Sequence, residues 1–353
     1  MRLIVVNYSM NSKNLVFSHQ REVVLALSQF FETVEVFTAE LGSENLPKNV
    51  KVFLLPWRVR SPLRNLLTVL KVVYPVLIRN RTSVLFTHMT DAHAAVLAPL
   101  TWLLRMRHVL WYAHAANSKF LVWSSFFVSN IVSSTNGSCN LSLNKAKICY
   151  INQGISNKSF PYKNRSNERF HKVLYYGRLD PSKNIHLFPS LLLELNRSGD
   201  IYTLDIFGRP ANLESEKYFL NVRSSNQVKI QESSINFRGS IERALVSKVT
   251  ENYDIFLNLF SGSLDKTLVE ATFMGMPVVT WNLEYCSQFG TWSNLPASAT
   301  LDFIIKEFEA LDSMKNGALQ GEIARRLNLA IKSHSFEGWI DRLVKVLRGG
   351  KLL

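Results

Sequence analysis

The sequence predicts an α/β protein built as two doubly wound domains in tandem. Three observations carry this. Short β-branched and aromatic runs alternate along the chain with segments whose apolar residues recur at helical spacing, the pattern of parallel sheets covered by helices. At 353 residues the chain exceeds one ordinary domain, and two of about 150 to 200 residues are the natural division. The stretch Ser156 to Asn167, rich in Asn, Ser, Lys and Pro and without an apolar period, separates the two runs as a linker. The expected domains are residues 1–160 and 168–335, with a final helix, 336–353, able to cross back onto the first.

In chain order, Leu3 to Asn7 is a buried strand, followed by a helix with Val23, Val24, Leu27, Phe30 and Phe31 on one face and by a strand at Val34 to Phe37. Val50 to Leu55 is a further strand. Arg58 to Arg81 then mixes six cations with a leucine and valine stripe, which suits either a solvated domain helix or a basic amphipathic helix on an anionic membrane. Strand Ser83 to Thr87 ends at His88, a helix covers Asp91 to Leu104, and strand His108 to Tyr112 ends at His114. A helix at Phe120 to Ser125 and strands at Asn130 to Ser134 and Ile148 to Ile151 close the first half. The second half restarts with strand Lys172 to Tyr176, a helix from Ile185 to Ser198, strand Tyr202 to Phe207, short strands at Gln227 to Gln231 and Ile235 to Phe237, and a helix at Ile241 to Glu251 with Leu245 and Val249 inward. Asp254 to Asn282 reads as β-loop-α-β: an apolar strand breaks at Ser261-Gly262-Ser263, a helix starts near Asp265, Gly275 and Pro277 stop it, and a second strand follows. Three helical patterns, Leu301 to Ala310, Ile323 to Ser333 and Phe336 to Leu347, finish the chain.

Composition narrows the function. With 47% apolar, 11% aromatic and only 19% charged residues, large cores are available and long disordered tails are not expected. Of a formal charge of +14, most lies early: up to residue 160 seventeen Lys/Arg face six Asp/Glu. Such a half suits anionic lipid, nucleic acid or a phosphorylated substrate. Nucleic acid is not expected, because the charge sits in well-patterned helices with no basic-aromatic module. Cys139, Cys149 and Cys286 have neither CxxC nor metal-type spacing and read as reduced thiols of a cytosolic protein. The N-terminal apolar run is too short for a signal peptide, and Leu66 to Ile78 and Ala94 to Leu104 are interrupted short of the ~20 residues that span a bilayer. A cytoplasmic protein, peripheral at the inner face of the cytoplasmic membrane, is the expectation.

Chemistry is expected where strands hand over to helices, since ligands of open α/β sheets sit at the carboxyl ends of strands. The loop after the first strand, Ser9 to Asn14, holds no glycine, against a GxGxxG cofactor site. Arg178 and Lys183 leave a strand end together, a forked donor and a point charge suited to a diphosphate. Glu270 lies early in the helix of the Asp254 to Asn282 unit, where a carboxylate can accept ribose hydroxyls. His88 and His114 follow two strands of the first domain, as structural histidines or as ligands of a crevice there.

Four segments occur in order: Tyr176 to Asn184 (YGRLDPSKN), Asp205 to Gly208 (DIFG), Phe237 to Ser240 (FRGS) and Asp265 to Val279 (DKTLVEATFMGMPVV). Together they resemble the GT-B glycosyltransferases, most closely the retaining family four, the glycosyl transferases of group 1. The resemblance spans nearly the whole chain. It implies two Rossmann-like domains facing each other across a cleft, the first holding the acceptor and the second a UDP- or GDP-sugar. It implies a hexosyltransferase acting with retention on a saccharide or polyprenyl-linked acceptor, as in cell-surface polysaccharide or lipopolysaccharide synthesis. On the donor side it assigns Gly177, Arg178, Lys183, Gly208, Gly239, Thr267, Leu268 and Glu270, the last as ribose ligand. It puts His114 beside the transferred sugar and His88, Asn11 and Ser12 on the acceptor side. No cofactor or metal is implied, in agreement with the lack of any Asp-x-Asp sequence.

The chain departs from the pattern eight residues before Glu270, where the family's first glutamate is replaced by Gly262. Either Asp265, backed by Lys266, contacts the sugar instead, or backbone amides of the loop and helix start carry the phosphate. Other classes stay open on the same architecture: a nucleotide-sugar epimerase, a glycan phosphorylase, or a glycan-binding relic without catalysis.

Overall fold

The structure, a computed structural model, describes residues 1–14, 17–43, 45–57, 61–114, 116–164, 171–199 and 201–350. It forms two units, Met1–Asn152 with Glu337–Leu353, and Gln153–Phe336.

In the first unit the apolar runs become seven strands: β1 (Arg2–Ser9), β2 (Thr33–Glu40), β3 (Val50–Leu54), β4 (Val84–His88), β5 (Arg107–Trp111), β6 (Asn130–Ser133) and β7 (Ile148–Tyr150). Their order is β3-β2-β1-β4-β5-β6-β7 and every pairing is parallel. Leu3 to Val6 are wholly buried, as expected of a parallel strand covered on both faces. The direction of winding reverses between β1 and β4. Right-handed crossovers then put helix Ser18–Leu27 on one face and helices Pro62–Val72, Tyr74–Arg79, Asp91–Leu103 and Lys119–Phe127 on the other. The core agrees: Val69, Val73, Leu77 and Leu97 pack with Ile4, Val6, Phe37 and Leu85, and Ala94 and Leu121 with Leu110 and Ile131.

The amphipathic segment expected as one helix is two. Pro75 has no amide proton to continue the ladder and instead enters the first turn of Tyr74–Arg79; Arg58 and Arg60 lie outside the described residues. From the far end of the chain, helix Phe336–Leu347 supplies Trp339, edge-on to Trp111 at 5.0 Å, and Arg342, whose Nε donates to Ile151 O at 3.0 Å.

The second unit holds β8 (Lys172–Tyr176), β9 (Thr203–Phe207), β10 (Ile235–Gly239), β11 (Ile255–Asn258) and β12 (Val278–Thr280), again all parallel, in the order β10-β9-β8-β11-β12. Here the reversal lies between β8 and β11. Three sequence expectations change in this unit. Ser156 to Asn164 joins it rather than standing apart, because Ile155 and Phe160 anchor the polar stretch in the core beside Phe256 and Met274. Gln227 to Gln231 is no strand but part of helix Gln227–Glu232: its side chains are mostly good helix formers, β10 already occupies the sheet edge, and Val228 stays 64% exposed. Ile241 to Glu251 breaks into three short turns, with Val246 and Thr250 buried and Leu245 on the surface. Helices Leu213–Ser225 and Leu283–Phe289 were not anticipated. Among the described residues no helix is long and apolar enough to cross a membrane.

Candidate functional site

The reversal between β8 and β11 brings together the loops that the sequence singles out. After β8 comes Gly177 to Asn184, with a short turn at Pro181–Lys183 capped by Asp180, which accepts from Ser182 N at 3.1 Å. After β11 comes Leu259 to Asp265, leading to helix Lys266–Phe273. Asn184 ties the loops together, donating Nδ2 to Leu259 O at 2.8 Å from a left-handed backbone that asparagine tolerates.

Lys183 is the cation of this junction. Only 6% exposed, it lies with Nζ 2.5 Å from Asp265 Oδ2 and 3.6 Å above the Phe260 ring centre. Asp265 caps its helix through Oδ1, which accepts from Thr267 N at 3.1 Å, while Asn258 donates Nδ2 to Asp265 Oδ2 at 3.2 Å and to Thr267 Oγ1 at 3.1 Å. Burial pushes the Asp265 carboxyl up, but Lys183 and the donors from Thr267 and Asn258 outweigh it and hold the group below the usual carboxylate value. Arg178 contrasts with Lys183: its side chain is 67% exposed and approaches Asp180 only at 3.6 Å. One cation is fixed inside, and the other stands on the surface.

Glycine matters at the neighbouring strand ends. A Cβ on Gly208 would stand 2.1 Å from Gly177 O, so only glycine lets β8 and β9 exit this close. Gly239, at φ +76°, ends β10 and accepts the Gly208 amide at 2.7 Å.

Glu270 is 2% exposed, and Arg243 Nη2 donates to its Oε1 at 2.6 Å. The Arg243 guanidinium lies 5.0 Å from the Phe160 ring centre and stays 45% exposed. Sequence reading missed this pair, since Arg243 lies in the segment expected to be a plain helix. It also missed Asn282, wholly buried, whose Nδ2 donates to Phe260 O, Gly262 O and Ser263 O at 3.0 to 3.2 Å. An asparagine closing an apolar strand run, as Asn258 and Asn282 do, is the sequence signal that could have found both loop anchors. At Gly262 a Cβ would fall 2.2 Å from the Phe260 ring, so an aromatic side chain occupies the place next to the missing glutamate. Lys266 and Thr267 are half-buried at the helix start. The Leu268 side chain is wholly buried with Phe256 and Val278 and packs the helix.

The first unit has its own reversal, between β1 and β4, and Gln20 bridges it. Gln20 Oε1 accepts from Tyr8 N at 2.9 Å and Ser9 N at 3.0 Å, and Nε2 donates to His88 O at 3.0 Å. Glu40 holds the loop beyond β1, accepting from Ser9 Oγ and Asn11 Nδ2, each at 2.8 Å, and from Asn14 Nδ2 at 2.6 Å. Burial would raise the Glu40 carboxyl, and those three donors bring it below its usual value instead. The Asn11 amide is therefore engaged in shaping its own loop, whereas Ser12 is exposed. His88 and His114 both follow the carboxyl edge but differ: His88 is 1% exposed against Phe86 and Trp111, and His114 is on the surface, edge-on to Tyr112 at 5.5 Å. Among the described residues no group of three or more His, Cys, Asp or Glu side chains is placed to hold a metal ion.

No family model and no curated protein matches this sequence. Solved structures do match. A glycosyltransferase from Rickettsia africae ESF-5 is similar over 98% of this chain and 97% of its own, with a TM-score of 0.73 at 12% identity. HepE from Anabaena, solved in complex with UDP, is similar over 99% and 100%, with a TM-score of 0.72 at 13% identity. Sucrose-phosphate synthase from Thermosynechococcus elongatus is similar over 99% and 98%, with a TM-score of 0.73 at 11% identity. At such identities the likeness is one of fold. With its two parallel sheets of seven and five strands, that fold is GT-B.

Proposed function

We propose that the protein is a glycosyltransferase that moves a sugar from a nucleotide-diphosphate donor to a saccharide acceptor with retention of configuration. The observation that carries this reading is the β8/β11 junction, where Lys183, Asp265, Asn258 and Thr267 form one bonded network beside the exposed Arg178. HepE, of similar fold, has been solved with UDP and with UDP-glucose, which supports a donor of that kind here.

In this reading Arg178 closes on the diphosphate as a forked donor, and the charge of Lys183 and the amides at the helix start stabilise the negative charge that grows on the departing oxygen. No metal is needed for that neutralisation. Glu270 accepts the ribose hydroxyls, with Arg243 as its permanent partner, and Gly177, Gly208 and Gly239 let the ligand approach the backbone. With Gly262 carrying no side chain, Asp265 and Lys266 take the place of the missing glutamate. His114 addresses the transferred sugar, with His88, Ser12 and Asn11 on the acceptor side. The acceptor is lipid-linked, in surface polysaccharide or lipopolysaccharide synthesis, and the enzyme works peripherally at the cytoplasmic face of the membrane; the basic segment up to Arg81 motivates this.

The test is calorimetry with UDP and GDP, followed by sugar release from the matching nucleotide sugars. Binding in the micromolar range is expected, weakened at least about tenfold by Glu270→Ala, a loss of about 1.4 kcal/mol. Absence of nucleotide binding at millimolar concentration, or binding indifferent to Glu270→Ala, sinks the donor site. Nucleotide binding without turnover on any acceptor favours the relic reading, to which the Phe260 ring beside Gly262 lends weight.

A further inference from the structure

The helices on one face of the seven-stranded sheet carry a surface that the donor reading leaves unused. Pro62–Val72, Tyr74–Arg79, Asp91–Leu103 and Lys119–Phe127 lie side by side there with their inward residues in the core. Their outward residues are not those of a solvated layer. Leu63, Leu67, Trp102, Leu103, Trp123 and Phe126 are between 51% and 71% exposed. Trp102 and Trp123 flank the same Phe127 ring at 6.0 and 5.0 Å, and Trp123 Nε1 donates to Ala95 O at 3.0 Å. The two indoles thus form one patch across adjacent helices, which scattered exposure does not explain.

The charge is equally one-sided. Residues 61–147 contain nine Lys/Arg and a single acid, Asp91. Asp91 is turned inward, accepting from Ala92 N at 2.9 Å and Ser118 Oγ at 2.5 Å. Arg64, Lys71, Arg79, Arg105, Lys119 and Lys145 are exposed. The early carboxylates lie elsewhere: Glu22 on helix Ser18–Leu27 of the opposite face, and Glu32, Glu35 and Glu40 in or beside β2.

We infer that this helix layer docks flat on an anionic lipid bilayer, with Trp102, Trp123 and Phe126 at the headgroup boundary and the cations around them. Indoles favour that boundary because they have an apolar body and a polar tip, and surface cations are drawn to anionic headgroups. A second copy of the chain is a poor occupant, since a self-complementary contact would set the exposed cations of these helices, Arg64, Lys71 and Lys119 among them, against their own copies. Nucleic acid would use the cations and leave Leu63, Leu67 and Leu103 without a role. The inference deepens the membrane side of the proposed function and rests on that reading only for what the bilayer holds, namely the acceptor.

Flotation of the full chain with vesicles tests it, using phosphatidylcholine alone and mixed with phosphatidylglycerol, at low and high salt. Binding is expected to the mixed vesicles at low salt, with a blue shift of tryptophan emission, and to weaken as salt screens the cations. Trp102→Gln with Phe126→Gln should lower the bound fraction at least about tenfold, and Leu103→Asn alone by a smaller factor, with nucleotide affinity unchanged in both. Absence of binding to mixed vesicles, equal binding to phosphatidylcholine alone, or native binding by Leu103→Asn and the double variant alike overturns the inference, as does a stable dimer that buries the patch. Vesicle binding by a protein that ignores nucleotides leaves this inference standing and removes the donor reading.

Discussion

The two sheets reverse their winding in the same way, and the chain fills the two crevices with opposite chemistry. Between β8 and β11 it installs a buried ion pair, Lys183 with Asp265, flanked by an exposed cation and a buried carboxylate with its own arginine. Between β1 and β4 it installs the neutral amide of Gln20, and nearby His93, 1% exposed, lies tilted against Trp57 with ring centres 3.9 Å apart. Topology offers a place at both reversals. In the proposed function the anion goes to the reversal where a cation is already fixed, beside Lys183.

Acid should expose the contrast most strongly. Burial lowers His93 to about 4 and His108 to about 3, so both are neutral when folded, whereas unfolding frees them to take protons near pH 6.5. The unfolded state then binds more protons, and the first unit should lose on the order of 5 kcal/mol as pH falls from 6.5 to 4. Asp265 has the same sign in a lower window: with its folded value lowered, its contribution is present above the ordinary aspartate value and lost only as pH falls below it. Hydrogen exchange across this range should show the first unit opening before the second; the reverse order breaks the comparison.

Substitution in each crevice gives a smaller effect. Lys183→Ala strands a buried carboxylate and should cost about 3 kcal/mol in urea denaturation. Gln20→Ala leaves two amides and a carbonyl without their partner and should cost about 1–2 kcal/mol. Equal losses would mean that charge is not what separates the two sites. Smallest is His114→Ala, on the surface, which should change stability by less than about 0.5 kcal/mol. Sugar release should nevertheless drop with UDP affinity unchanged, and full activity in that variant removes His114 from the proposed chemistry.

How much of this was legible in the residues depended on distance along the chain. Strands announce themselves locally, so Leu3 to Asn7 and Lys172 to Tyr176 were visible, and so were the loops that leave them, since strand ends gather sites whatever their partners. The Lys183–Asp265 and Arg243–Glu270 pairs join residues 82 and 27 positions apart, and nothing local in the sequence links them. Gln227 to Gln231 misled because Val228 and Ile230 alternate like a strand while the sheet edge was already occupied by β10, a fact of topology. The exposed indoles escaped because a tryptophan in an apolar helix looks the same in sequence whether it faces the core or the solvent.

The second unit is threaded into the first through two crossings, at Asn152 to Gln153 and Phe336 to Glu337. On the second unit's side they are stapled together: Ile155 bridges Ser335, its amide donates to His334 O at 2.8 Å, and Phe336 N donates to Ile155 O at 2.9 Å. During synthesis all seven strands of the first sheet leave the ribosome before Trp339, Arg342 and Leu347 do. The nascent first unit must therefore wait, partly uncovered around Trp111 and Ile151, while the inserted unit emerges and closes on itself.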